Sequence, residues 1–196
     1  MKRTSLILIL SFFFLLHNVY AHTNDVIVNT KSSTVTWTGS KPGGDHSGAI
    51  NISSGKLIFD HGRLVGGDFV IDMTTIKNTD IKSQKKKEYL EEHLKNEDFF
   101  DVEKFPTAEL RIISAEPRPD NIYQIKADLT IKGITHQIEF STHLTLKKNN
   151  FLATANIKID RTKWGVVYKS GNVFKELGDK IIHDEIKFDV YLLSVK

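Results

Sequence analysis

The sequence contains no cysteine, and this absence excludes several kinds of protein. A chain without thiols forms no disulfides, offers no thiolate to a metal and cannot carry a lipoprotein anchor on cysteine. Long hydrophobic runs are also lacking. The main apolar run, Leu6–Leu16, has 11 residues, whereas a membrane-spanning helix needs roughly 20. The fold therefore depends on an ordinary apolar core.

That apolar run lies in an N-terminal segment with the features of a secretory signal peptide. Lys2 and Arg3 precede the run, and small residues lead up to Ala21. We predict cleavage after Ala21, so that residues 1–21 are the signal peptide and residues 22–196 form one exported domain. A domain of this length can bury one substantial core without further help.

An excess of charge of one sign is missing as well. The chain has 27 Lys and Arg against 24 Asp and Glu, and two of the basic residues belong to the predicted signal peptide. The remaining surface is nearly neutral and has no general attraction for polyanions. Nucleic acid is therefore not an expected partner.

Motifs for catalysis, cofactors or metals are not found in the sequence. There is no Gly-x-Ser-x-Gly nucleophile motif, and the pairs Gly43–Gly44 and Gly66–Gly67 lack the context of a phosphate-binding loop. The histidines are scattered, which favours surface residues over metal ligands. We predict no cofactor, no metal site and no catalytic residue.

One pair, Asp160–Arg161, leaves two interpretations open. It follows a predicted strand and could be a catalytic acid beside a cation. The favoured alternative is structural, because such pairs commonly close the end of a barrel or satisfy the backbone of a turn.

Alternation of apolar and polar residues is what the sequence has in abundance. Every second residue from Tyr123 to Ile131 is apolar, a turn follows at Gly133, and the pattern resumes from Ile138 to Leu146. A period of two residues predicts half-buried strands. Seven or more such segments predict an antiparallel barrel or sandwich. Gly39–Gly48 is expected to be a glycine-rich connection.

A helix is predicted at Lys82–Lys95, where Leu90 and Leu94 lie one turn apart. The polar residues Asn78–Asp80 are its expected start. The lysines early in this helix could contact anionic membrane headgroups. Nearby glutamates favour the alternative of a solvated helix face.

Two consecutive aromatic residues, Phe99 and Phe100, follow the predicted helix. Two adjacent side chains of a regular element do not both face one core. One is expected to pack under the helix while the other reaches sideways. A plain core role and a place in the wall of a ligand cavity both remain open.

Six motifs in a common order carry a resemblance to a known family. They are Thr36–Gly39 with Lys41 and His46–Gly48, Gly66–Met73, His93–Val102, Phe105–Ala108, Leu129–Thr135, and Ile159–Gly165 with Asp184 further on. Each motif is weak alone, but their order is specific. On these residues, the chain resembles the YceI-like, polyisoprenoid-binding family over about Asn29–Ser194.

The resemblance implies a mainly β fold, an eight-stranded antiparallel lipocalin-like β-barrel with a short helical cap. It implies an elongated apolar tunnel that holds a polyisoprenoid or similar long-chain amphiphile in the bacterial periplasm. It also implies that the protein is a binding protein and not an enzyme, and that it forms homodimers. The family pattern supplies no catalytic residue.

The side chains expected to line the tunnel are apolar members of the predicted elements. They are Val35, Trp37, Leu57, Phe59, Phe69, Ile71, Met73, Leu94, Phe99, Phe100, Leu110, Ala127, Leu129, Phe140, Ala153, Ala155, Ile157 and Phe188. The alanines would leave room along one wall. Because no inward strand position is expected to be charged, selection within the tunnel should depend on shape and length.

Three hypotheses about function follow. The first is a periplasmic carrier of an isoprenoid or fatty amphiphile, with transient membrane contact. The second is an envelope enzyme acting on a lipid or a small amphiphile, with Asp160, Arg161 or Asp184 in its site. The third is a solid-core barrel whose surface binds another envelope protein.

Overall fold

The structure is a computed structural model that describes residues 23–147 and 150–195. The predicted signal peptide, residues 1–21, lies outside the described residues. The described elements are β1 (Thr23–Ile27), β2 (Thr34–Lys41), β3 (Gly44–Asp60), β4 (Arg63–Asn78), α1 (Gln84–Lys95), β5 (Thr107–Arg118), β6 (Ile122–Ile131), β7 (Ile134–Lys147), β8 (Asn150–Asp160) and β9 (Glu185–Leu193), with short 3₁₀ helices at Arg161–Trp164 and Gly178–Lys180.

Strands β2 to β9 form a closed antiparallel barrel. Each strand from β4 to β9 pairs with the next along the chain, β9 pairs with β2, and β2 pairs with β3. Pairing of β3 with β4 joins the two sides of the sheet. Strand β1 adds to the second half of β3. The predicted eight-stranded, lipocalin-like architecture is confirmed.

The alternation in the sequence builds this barrel directly, as β6 illustrates. Its inward side chains are buried, whereas outward Lys126 forms an ion pair of 3.3 Å with Glu139 on β7. Each aliphatic side chain that is fully buried contributes about 1.5–3 kcal/mol to the free energy of folding. The buried residues of β6 are Ile125, Ala127, Leu129 and Ile131.

The prediction that Gly39–Gly48 is a glycine-rich connection is wrong. Strands β2 and β3 continue through most of it and turn only at Pro42–Gly43. Gly48 serves close packing: an added Cβ would lie 1.8 Å from the Lys77 carbonyl oxygen and 2.5 Å from Cζ2 of Trp37. Sequence composition alone does not separate such a glycine from one in a flexible loop.

The two ends of the barrel differ. At the end that holds the β3–β4 turn, the rings of Phe59 and Phe151 pack with their centroids 6.4 Å apart. Leu64 lies nearby on the inside of β4 and is 1 % exposed. At the other end, α1 packs against β4, and the 161–184 segment lies between β8 and β9.

The helix begins later than predicted, at Gln84, because Asn78–Asp80 forms hydrogen bonds to β3 and does not cap the helix. The N-cap of α1 is Ser83. The Asn78 side chain is fully buried and donates to the Ser47 carbonyl oxygen at 3.0 Å. Asp80 accepts the Ser47 N–H at 2.9 Å. These polar residues fasten the approach to α1 onto the start of β3.

Candidate functional site

The barrel encloses a cavity of about 930 Å³. Inward side chains of β2 to β9 form its wall, and residues of α1 line it at one end. The wall is dominated by aliphatic and aromatic side chains. Sites for small molecules have volumes of roughly 300–1,000 Å³, so this cavity is at the large end of that range.

Most of the residues predicted to line a tunnel border this cavity. The two that do not are Phe59 and Ala127. Phe59 lies beyond Leu57 toward the β3–β4 turn, in contact with Phe151 below the closed end of the cavity. Ala127 lies on β6 and is 0 % exposed, packed in the core without bordering the cavity.

Several lining residues were not predicted. Most continue the alternation of strands that the sequence did identify, and that alternation was the signal available for finding them. They include Ile50, Ile52, Leu64, Ile76, Ala108, Ile112, Ile125, Ile131, Ile138, Leu144, Ile186, Val190 and Leu192.

Phe99 and Phe100 both border the cavity, so each takes part in its wall. Phe99 is held by aromatic contacts from two directions. The His93 ring meets Phe99 edge-on at 5.0 Å between centroids, and it meets Tyr168 edge-on at 4.8 Å. This cluster joins α1, the segment after it and the segment after β8 at one end of the barrel.

A buried carboxylate, Glu91, ties α1 to the barrel. Its side chain accepts the Asn78 N–H at 2.8 Å and the Lys77 ammonium at 3.2 Å. Burial raises the pKa of Glu91, but the hydrogen bonds from Asn78 and Lys77 outweigh burial, so the pKa lies below its ordinary value. The charged form of Glu91 therefore holds α1 in place over the cavity.

Arg161 is buried at the same end, with 2 % of its surface exposed. Its guanidinium donates to the carbonyl oxygens of His183 (3.1 Å), Val166 (2.6 Å) and Ile182 (2.9 Å). Asp184 Oδ1 lies 3.3 Å from Nη2, an ion-pair contact without hydrogen-bond alignment. Burial lowers the pKa of Arg161, and the neighbouring carboxylates oppose that effect.

Asp160 and Asp184 accept hydrogen bonds from neighbouring groups of the chain, as residues that stabilise turns do. Asp160 Oδ1 accepts the N–H of Thr162 at 3.0 Å and its hydroxyl at 2.6 Å, which caps the first 3₁₀ helix. Asp184 Oδ2 accepts Ser170 at 2.9 Å and Asn172 at 2.8 Å. The contacts agree with the structural interpretation of Asp160–Arg161.

The expectation that no inward strand position is charged is wrong. Lys41, at the end of β2, borders the cavity, as do Lys85 and Lys86 of α1 and Arg161. Lys41 continues the inward period of Val35 and Trp37 but falls in the segment that the sequence predicted to be a connection. The other three lie in α1 and in the first 3₁₀ helix, outside the strands. The long stem of a lysine can follow an apolar wall while its ammonium group reaches water.

The cavity opens to solvent at the α1 end. Tyr89 lines it and is 69 % exposed, and the lining residues Lys41, Lys85 and His183 are also exposed. At the opposite end, lining residues such as Leu57 and Leu64 are buried. The cavity therefore has an open mouth beside α1 and a closed floor.

Neither a metal cluster nor a membrane-spanning helix is found in residues 23–147 and 150–195. No group of three or more His, Cys, Asp or Glu side chains there could hold a metal ion. Within the same ranges, no helix has the length and apolar character needed to cross a bilayer.

The sequence itself decides the family. The profile of the YceI-like domain matches residues 27–192, which cover every barrel strand from β2 to β8 and nearly all of β9. The chain belongs to the YceI-like domain family. No functionally curated protein matches the sequence.

Solved structures share the fold of this YceI-like protein at low sequence identity. BcnA of Burkholderia cenocepacia is 19 % identical, with a TM-score of 0.70 over 86 % of this chain and 99 % of that one. A polyisoprenoid-binding domain of Saccharophagus degradans, implicated in plant cell wall breakdown, is 11 % identical, with a TM-score of 0.62 over 86 % and 96 %. The Campylobacter jejuni YceI protein is 17 % identical, with a TM-score of 0.54 over 100 % and 99 %.

Proposed function

We propose that this YceI-like protein binds one long-chain amphiphile, of isoprenoid or fatty type, with its tail inside the barrel. The observation that carries the proposal is the apolar cavity of about 930 Å³ with one open mouth and a closed floor. A structure of the same fold from Saccharophagus degradans is described as polyisoprenoid-binding, which supports this ligand class.

The size of the cavity suits a long chain. A water molecule takes up about 30 Å³ in the liquid, and a methylene group is of similar size. The cavity then has room for roughly thirty such groups, which corresponds to a tail of about six five-carbon isoprene units. Burial of each group contributes roughly 0.8 kcal/mol, so about fifteen groups contribute roughly 12 kcal/mol and offset the several kcal/mol lost on association.

Binding is favoured over catalysis because the polar residues beside the cavity are engaged in structure. Arg161 donates hydrogen bonds to three backbone carbonyl groups, and Asp160 caps a 3₁₀ helix. Asp184 is held by Ser170, Asn172 and Arg161. A solid-core interaction module does not fit a barrel with a cavity of this volume.

We further propose that the protein works in the periplasm. The N-terminal segment with the features of a signal peptide supports export, and a carrier there would load at a membrane surface through the mouth beside α1. Homodimer formation, implied by the family resemblance, stays a prediction.

Blocking the cavity tests the function. Ala153 lies on β8, lines the cavity and is 5 % exposed, so Ala153→Trp would fill the bore with an indole ring. We expect wild-type protein purified without detergent to carry lipid that native mass spectrometry detects. Ala153→Trp should carry none and should take up no added geranylgeraniol.

The matched control is Lys158→Trp, which places the same ring on the exposed outer face of β8. It should retain lipid at the wild-type level, and circular dichroism should show that both variants are folded. A wild-type protein that is empty and also takes up no geranylgeraniol would contradict the proposed function.

A further inference from the structure

The charged side chains that line the cavity all have the same sign. They are Lys41, Lys85, Lys86 and Arg161, and no aspartate or glutamate lies among the lining residues of the described chain. Asp184 compensates the charge of Arg161. Six other lysines form ion pairs with carboxylates, but within the described ranges the three at the cavity form none.

The two elements that carry these lysines are fastened together. Lys41 ends β2 at the turn into β3, and Lys85 and Lys86 lie in the first turn of α1. Between them, His46 Nδ1 lies 2.9 Å from Asp80 Oδ2, and the Thr79 N–H donates to the Ser47 carbonyl oxygen at 2.9 Å. The three lysines therefore border one mouth.

The negative charge of Asp80 is stabilised by groups other than the three lysines. Burial raises the pKa of Asp80, but hydrogen bonds from His46, the Ser47 N–H and Asn78 outweigh it, so the pKa lies below its ordinary value. Asp80 is thus a carboxylate already engaged by these three groups. It does not line the cavity and pairs with none of the three lysines.

Stability of the fold does not explain where these lysines lie. The first turn of α1 has no acidic residue, and cations there are disfavoured by the helix dipole. Like charges around one opening also repel each other. An arrangement that opposes local stability is expected where a protein needs it for function.

We propose that Lys41, Lys85 and Lys86 bind the anionic head, a phosphate or a carboxylate, of the amphiphile whose tail fills the cavity. The inference rests on the proposed function and narrows its ligand class. The head stays at the mouth, where three ammonium groups can reach it without losing their own hydration. For a neutral amphiphile with the same tail, only burial of the tail contributes to the binding free energy.

Paired ligands test the inference. Geranylgeranyl phosphate and geranylgeraniol share one tail and differ in the charge of the head. We expect wild-type protein to bind the phosphate at least about tenfold more tightly at low salt, since each exposed ion pair contributes a factor of roughly two to five. That preference should shrink as salt is added.

The variant K41Q/K85Q/K86Q should bind both ligands with about the affinity that wild type shows for the alcohol. The control K31Q/K147Q/K163Q removes the same charge from lysines that do not line the cavity, and it should keep the preference. Equal binding of the two ligands by wild type, or a full preference in the first variant, would overturn the headgroup site while leaving the carrier function intact.

Two further arms separate other outcomes. Inorganic phosphate should bind at least about a thousandfold more weakly than the lipid phosphate, because the tail supplies most of the binding free energy. Equal affinity would show a site for free anions and refute a headgroup site. If wild type binds neither lipid, the proposed function and this inference both fall.

Discussion

Arg161 shows how one residue holds the open end of the barrel together. Its guanidinium reaches three backbone carbonyl groups, two of them in the segment that leads into β9. Replacement of such a group leaves the carbonyl groups without a donor and Asp184 without its counter-charge. Removal of one partner of a buried ion pair lowers the stability by more than the intact pair contributes, because the other charge stays buried without a partner.

We therefore predict that Arg161→Ala lowers the free energy of unfolding by about 3–5 kcal/mol. Urea denaturation followed by fluorescence measures the change. Lys163→Ala is the control, because Lys163 is exposed on the same 3₁₀ helix, and it should change stability by less than about 0.5 kcal/mol. A loss below about 1 kcal/mol for Arg161→Ala would show that Asp184 and the carbonyl groups find other partners.

At the scale of elements, β3 is what allows the barrel to close. One strand of 17 residues pairs with β2 in its first half and with β1 in its second, while β4 follows its other edge. Its register with β4 shifts at three points, including Ala49/Asn51. Such irregularities bend a strand and increase its twist, and Gly48 lies directly before the first of them.

Gly48→Ala should destabilise the protein by at least about 2 kcal/mol, because the added methyl group overlaps the Lys77 carbonyl oxygen and the Trp37 ring. The oxygen belongs to the backbone of β4 and cannot move without disturbing the β3–β4 pairing. Thermal and urea denaturation measure the loss.

The β2–β3 hairpin offers its own control for this prediction. Gly43 lies in the turn, and an added Cβ there would meet no atom within 4 Å. Gly43→Ala should therefore leave stability within about 0.5 kcal/mol of wild type. Equal effects of the two substitutions would mean that glycine content, and not close packing at Gly48, matters in this hairpin.

On the scale of the whole molecule, the sequence predicted the barrel well and the mouth of its cavity poorly. Alternation along β6 and β7 is local and survives in the fold, so strands and most lining residues could be identified. Phe59 could not be separated from Leu57, because the floor of the cavity depends on Phe151, distant in sequence. Lys41 and Lys85 border one mouth because long-range contacts, such as those of Asp80, fasten β3 to the segment before α1, and no local pattern reveals such contacts.

A barrel with so large an apolar cavity should be sensitive to whether that cavity is filled. A ligand that binds only the folded protein raises its stability by about 2.7 kcal/mol at a concentration of 100 times Kd. For a domain of this size, each kcal/mol shifts Tm by roughly 2–4 °C. The filled and empty proteins should therefore differ in Tm by roughly 5–10 °C.

We predict that protein stripped of lipid by unfolding in guanidinium and refolding melts at a lower temperature than protein purified natively. Geranylgeranyl phosphate should restore the higher Tm of the stripped wild type, because its tail again packs against the apolar wall of the barrel. Ala153→Trp should show no rise with the same ligand, because the indole ring already occupies the bore. An equal rise in both proteins would place the ligand outside the barrel, since only an external site survives when the bore is closed.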